Sequence, residues 1–220
     1  MPEIDLMRNY PVTDRTDLLN IREEVTREDR IIAKKFGKDY FDGPRRLGLG
    51  GYYYHPKYFT NVVQDFINYY NLKPNAKILD VGCGKGFMMK DFKDALPNAE
   101  ICGIDISEYC FENAMLEVKD KIKVGSCDDL PYPDNYFDLV VSIATIHNLD
   151  KEGVKRSLKE ILRVGTGKYY IKVNGYKTES ERIKLERWNL VANTILPINQ
   201  WHLLFEEIGY VGDYSFFSTL

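Results

Sequence analysis

From Lys77 onward, short unbroken apolar runs alternate with stretches whose apolar residues recur at helical spacing. The runs are Ile78 to Val81, Ile101 to Ile104, Ile122 to Val124, Phe137 to Ile143 and Tyr169 to Val173, and each predicts a strand. The periodic stretches predict helices at about 85–95, 108–118, 151–163, 179–192 and 198–208. Runs without polar alternation belong to strands covered on both faces. Strand–helix alternation of this kind predicts an α/β fold, a doubly wound and mostly parallel sheet. In such a sheet ligands bind beyond the carboxyl ends of the strands, at the switch point beside the first one.

Upstream, Thr13 to Gly37 reads as one charged amphipathic helix or two shorter ones. Its apolar positions are Leu18, Leu19, Ile21, Val25, Ile32 and Phe36, with Gly37 as the terminator. An aromatic, glycine-rich loop follows, "YFDGPRRLGLGGYYYHP". Pro56 suits the first turn of a further helix that turns Phe59, Val62, Val63, Phe66, Ile67 and Tyr70 inward. The chain thus divides into a helical segment with a cap loop, residues 1–55, and a main domain, residues 56–220. From Tyr210 one more strand is expected at the sheet edge, antiparallel to its neighbours, with a short or missing partner.

Composition narrows the function classes. The net charge of −3 and the lack of basic clusters argue against a nucleic-acid partner. Cysteines 83, 102, 110 and 127 show no metal-ligand spacing and read as free thiols of a reducing compartment; no metal site is expected. No stretch approaches the roughly 20 uncharged residues of a membrane span, and the start lacks a signal-peptide core, so a cytoplasmic protein is expected.

The loop "DVGCGKG", Asp80 to Gly86, carries the chemistry. A phosphate loop needs lysine and a hydroxyl residue after its last glycine, and here Phe87 and Met88 stand there. A dinucleotide fingerprint needs glycine where Phe87 lies, and it has no use for a carboxylate just before the turn. Read as D-x-G-x-G-x-G, the loop suits a ligand with an amino-acid end: bare backbone allows close approach, and Asp80 attracts an ammonium. At this point the chain resembles the class I S-adenosylmethionine-dependent methyltransferases. Asp105 ends the next strand nineteen residues after Gly86, and "LPYPDNYFD", Leu130 to Asp138, is similar to the loop before strand four in small-molecule members.

The resemblance implies a Rossmann-like fold and S-adenosylmethionine as cofactor. It places Asp80, Gly82, Cys83, Gly84 and Gly86 at the cofactor's amino-acid end and Asp105, with Ile106 beside it, at the ribose. Ser126, Cys127 and Asp128 fall at the adenine; Ser126 stands where the family usually has aspartate, which leaves open the residue that holds the adenine amino group. Ser142, near the end of the fourth strand, is a further cofactor contact, and Tyr52 lies over the methionine end. His147 is the candidate general base or substrate contact, a histidine titrating near neutrality being suited to an acceptor proton. Tyr54, Lys172, Asn174 and Trp188 complete an expected acceptor pocket, while His202 reads as structural. The expected activity is methyl transfer to an oxygen or nitrogen of a small polar acceptor. The alternatives are a cofactor-binding module without turnover that serves a partner, a protein or tRNA methyltransferase, and a dinucleotide-dependent oxidoreductase.

Overall fold

The computed structural model describes residues 3–11 and 16–217, with side chains omitted for 16–19. Thr13 and the side chains of Leu18 and Leu19 therefore lie outside the described residues. The strands are β1 (Lys77–Val81), β2 (Glu100–Asp105), β3 (Ile122–Val124), β4 (Leu139–Ile143), β5 (Tyr169–Tyr176), β6 (Leu196–Pro197) and β7 (Asp213–Phe217). They form one sheet in the order β3-β2-β1-β4-β5-β6, with β7 also paired to β5. The strand order reverses between β1 and β4, and this is the switch point.

Both faces are covered, as unbroken apolar strands require. On one face α4 (Pro56–Tyr70) and α5 (Phe87–Ala95) bury Val62, Phe66, Met89 and Phe92 against Ile78 and Val141. On the other, α7 (Lys151–Val164) and α9 (Ile198–Ile208) bring Leu158, Ile161, Trp201 and Phe205 onto Leu79, Val140 and Ile171. His55 caps α4, its Nδ1 accepting the Lys57 amide, and Asp150 caps α7 by accepting from the Gly153 amide.

The edge strand is present, but its direction differs from the expected one. Tyr170 pairs with Asp213 and Asn174 with Phe217, a parallel register. The reason lies in the connection: α9 crosses over between β5 and β7, and a helical crossover returns the chain in the same direction, where an antiparallel pair is joined by a hairpin. The amino-terminal segment then lies along β7, Ile4 N–H donating to Tyr214 O at 2.9 Å while Leu6 and Met7 enter the core.

Other differences are local. The helix expected at 108–118 stops as α6 (Glu108–Glu112), because the chain turns there to let the Met115 amide bond the Lys85 carbonyl. The expected amino-terminal stretch holds two shorter helices, α1 (Thr16–Glu23) and α2 (Arg27–Ala33), and a further one, α3 (Lys38–Phe41), follows it. A capping box at Thr26 and Asp29 opens α2, and Gly37 caps the start of α3 instead of ending a helix. The fourth long helix, α8 (Glu179–Trp188), ends earlier than its periodicity predicts. Among the described residues no helix is long and apolar enough to cross a membrane, and no cluster of His, Cys, Asp and Glu has the makings of a metal site.

Candidate active site

At the end of β1 the backbone enters the left-handed region three times, at Gly82 (φ 84), Gly84 (φ 55) and Gly86 (φ 78). Side-chain-bearing residues rarely adopt this conformation. Space forbids a side chain as well: a Cβ on Gly82 would run into Thr145, and one on Gly84 would lie 3.0 Å from the Tyr52 ring. The loop is tied to β2 by the Gly82 and Cys83 amides, which donate to Ile104 O at 2.7 and 3.1 Å.

Two carboxylates flank this loop. Asp105 accepts from the Gly84 amide at 2.7 Å on one oxygen and from the Ser107 amide at 2.9 Å on the other. Burial raises its pKa, the two amides pull it down, and the net direction is upward. Asp80 is only 5% exposed and makes no hydrogen bond or ion pair among the described residues. Burial, then repulsion by Asp105, pushes its pKa up to about 7. A buried carboxylate without a partner is costly unless something charged comes to it.

Beyond β4, Ala144 sits at φ 58, a strained conformation for a residue with a Cβ, held by its amide bonding Lys172 O at 2.9 Å. Thr145 follows and covers Gly82. His147, in the 3₁₀ turn Ile146–Asn148, is 1% exposed. Its Nδ1 accepts the Asn174 amide N–H at 3.3 Å, and its Nε2 lies 3.4 Å from the Asn174 side-chain nitrogen. With Nδ1 accepting, Nε2 carries the proton, so the Asn174 amide turned over, Oδ1 toward Nε2, is the assignment in which both groups bond. Burial lowers the His147 pKa to about 3. The general base expected at this residue is therefore not supplied: its one acceptor nitrogen is occupied, and the ring is sealed in the protein.

Lys172 is likewise 7% exposed and pairs with Asp5 at 2.7 Å, its ammonium 5.4 Å from the Phe217 ring centre. It is bound to its own chain and not presented to an acceptor anion. Trp188 is half-buried with its ring 6.2 Å from that of Phe217. Tyr54 turns away from the switch point, donating its hydroxyl to Asp91 on α5 at 2.5 Å. Ser142 is buried with its hydroxyl unpartnered among the described residues. His202, on α9, meets the Tyr214 hydroxyl at 3.0 Å, a structural contact as expected.

The adenine-side candidates are engaged with one another. Ser126 Oγ bonds Asp128, and Arg156 grips Asp128 through Nε and Nη2 at 3.0 and 2.7 Å. Burial works against the Asp128 charge, but these bonds outweigh it and its pKa falls below the usual carboxylate range. Cys127 is buried and receives a hydrogen bond from Ser157. Ile106, just past Asp105, is 55% exposed, an apolar face left open beside that carboxylate.

The amino-terminal helices and α8 form a cap over these strand ends. Arg30 on α2 donates to the carbonyls of Glu186 and Asn189, Lys34 bonds Asn193, and Ala33, Leu190 and Val191 share a small apolar cluster. The loop after α3 lies on the glycine loop itself, where Tyr52 packs against Phe87 with ring centres 4.6 Å apart and the planes tilted by 37°. Beneath it Lys85 Nζ bonds Asp42 at 2.6 Å and Tyr52 O at 2.9 Å, while Tyr109 donates to Asp42 at 2.6 Å. Burial opposes the Asp42 charge, yet the bonds from Lys85, Tyr109 and the Tyr52 amide hold its pKa below the usual range. Sequence reasoning missed Asp42, Tyr109, Ala144 and Thr145. Lys85, a charged residue in a loop otherwise buried, was the available signal that a partner existed.

Residues 79–168 match the family described as methyltransferase domain. Over that stretch the chain is similar to the class I S-adenosylmethionine-dependent methyltransferases. A demethylmenaquinone methyltransferase of Symbiobacterium thermophilum is 31% identical over 150 residues, 64% of this chain and 59% of that protein. Phosphoethanolamine N-methyltransferase 3 of Arabidopsis thaliana is 35% identical over 112 residues, 46% of this chain and 22% of that protein. The chain thus spans less than two thirds of the length of these curated relatives. The YcgJ protein of Bacillus subtilis shares the fold, with a TM-score of 0.54 at 20% identity, covering 66% of each chain.

The site's own chemistry fits the cofactor of this family. Asp80 offers an unpaired buried charge to an ammonium, and the left-handed loop leaves no side chain in the way. The Asp105 carboxylate is oriented by two amides and retains lone pairs for a pair of hydroxyls.

Proposed function

We propose that this protein transfers the methyl group of S-adenosylmethionine to an oxygen or nitrogen of a small polar acceptor. The observation that carries the reading is Asp80, a buried carboxylate without a partner among the described residues, placed beside Asp105 at the switch point. When bound, the cofactor supplies a methyl group already activated on a sulfonium. The work left to the protein is to hold an acceptor in line and exclude water.

Each group then has a task. Asp80 holds the cofactor's ammonium, Asp105 its ribose hydroxyls, and the backbone of Gly82, Cys83, Gly84 and Gly86 lies against its amino-acid end. Tyr52 covers that end, and Ile106 gives the adenine an apolar face. Ser126 and Asp128, already bonded together, leave the Cys127 segment backbone as the adenine contact. Asn174 and Trp188, at the ends of β5 and α8, border the acceptor with the His147 turn beneath. Because His147 keeps its proton on the buried side, the acceptor arrives as a free amine or an ionised hydroxyl, needing no base from this residue. The names of the two relatives, one for a demethylmenaquinone and one for phosphoethanolamine, support a small-molecule acceptor.

Calorimetric titration tests the cofactor: S-adenosylhomocysteine binds and NAD does not. Labelled methyl transfer from S-adenosylmethionine to a panel of amines, phenols and carboxylic acids tests the acceptor. Absence of S-adenosylhomocysteine binding would overturn the reading; binding with methylation confined to protein or tRNA would overturn the small-molecule acceptor.

A further inference from the structure

The lysine inside the glycine loop has no counterpart in what the loop must do for a ligand. Lys85 stands between Gly84 and Gly86, both left-handed, so its side chain leaves a backbone that is otherwise bare. It does not reach solvent. The ammonium is bonded to Asp42 and to the Tyr52 carbonyl, and it lies 5.4 Å from the ring centres of both Tyr53 and Tyr109. Asp42 in turn accepts from the Tyr109 hydroxyl and, through its other oxygen, from the Tyr52 amide at 2.8 Å.

Both main-chain polar groups of Tyr52 are thereby fixed by this one ion pair, and its ring is set against Gly84. Gly84 is also the residue whose amide orients Asp105. A single cluster thus couples the cap, the loop and the ribose carboxylate. A staple that only joined the amino-terminal segment to the core had cheaper places available, such as the pair of exposed Arg8 with Asp65. This one is buried, and it holds Tyr52 against the glycine loop.

We propose that Lys85 and Asp42 are a positioning pair that holds Tyr52 across the glycine loop, so that the cap controls exchange of the cofactor. The inference rests on the cofactor reading above and adds to it which residues set the residence time. Removing one partner alone would leave a buried charge and risk the fold. The test therefore removes both charges at nearly constant volume, in the double variant Asp42→Asn with Lys85→Met. Release of S-adenosylhomocysteine is followed by stopped-flow displacement in the full chain, with the melting temperature of the unliganded protein as control.

The double variant is expected to release the ligand at least about tenfold faster, the loss of one charge-assisted bond corresponding to that factor or more. Its unliganded melting temperature falls by less than the change in release rate implies. Lys85→Arg, which keeps a cation against Asp42, is expected to restore slow release. Wild-type binding with the same release rate in the double variant would overturn the positioning pair alone. Loss of melting temperature with unchanged release would do the same, since that is the signature of a merely structural bond. Failure of the wild type to bind S-adenosylhomocysteine would overturn the cofactor reading and the pair with it.

Discussion

Asp80, Asp105 and His147 are ionisable residues at the strand ends, and the surroundings of each have a measurable consequence. The Asp80 pKa of about 7, against an ordinary 3.8, means that the folded protein holds this proton after the unfolded chain has lost it. Unliganded stability is then lost as pH rises from about 4 to 7 through this group, at up to roughly 1.4 kcal/mol per unit. Asp80→Asn is expected to melt above the wild type at pH 8, with a smaller difference at pH 5. Affinity for S-adenosylhomocysteine should fall as pH drops below about 7 in the wild type, where the ammonium partner becomes neutral, and stay flat in Asp80→Asn. Asp105→Ala should weaken binding by at least tenfold in calorimetry, because charge-assisted bonds contribute about 1.5–3 kcal/mol each. His147 runs the opposite way: its folded pKa of about 3 lies below the ordinary 6.5, so stability is present above 6.5 and is lost as pH falls. His147→Gln should flatten the acid limb of a pH–stability curve between 6.5 and 4; an unchanged slope would mean that the ring is not sealed.

At the scale of elements, the cap is two pieces that support each other. Arg30 donates to Glu186 O and Asn189 O at 3.0 and 2.8 Å, so a residue of α2 supplies cations to the last carbonyls of α8, which suits that helix end. Arg30→Ala is expected to raise amide exchange in residues 27–36 and 179–194 together, with α4 and α5 unchanged. Independent loosening of one segment would show that the two do not act as a unit. Periodicity revealed most of these elements and misplaced some of their ends. The 108–118 pattern is helical in its apolar spacing, but the Met115 amide finds the Lys85 carbonyl, a bond made 30 residues back along the chain. Thr26 was a legible helix start and Gly37 a misleading stop, since Phe36 takes the left-handed φ of 49 that a glycine was expected to take.

For the whole molecule, one ion pair joins Asp5 and Lys172, which lie 167 positions apart in sequence. Lys172 is buried in the described structure and Asp5 is half exposed, so the pair is asymmetric. Asp5→Ala leaves a buried ammonium without its partner and should destabilise the fold by more than 1 kcal/mol, whereas Lys172→Met removes the charge and should be near neutral. Urea unfolding of both variants measures this difference; equal losses would argue that the contact is packing and not charge. The same segment covers the outer side of β7, whose backbone would otherwise stand open to other chains.

The strands, the glycine loop and its two carboxylates were legible because each is a local pattern: unbroken apolar runs, glycines at fixed intervals, an acid at the end of a run. Local patterns of that kind follow from chain geometry over a few residues, and the switch point follows from their order. What the folded chain alone decided are the partners. His147 carries the same imidazole whether it faces a substrate or Asn174, and only packing removed its proton affinity. Lys172 read as a residue of the acceptor pocket until a distant aspartate took it, and the partner of Lys85, Asp42, was equally out of sight. The direction of β7 was set by where α9 crosses the sheet, a choice made by the burial of Trp201 and Phe205 across the layer and invisible in the strand's own residues.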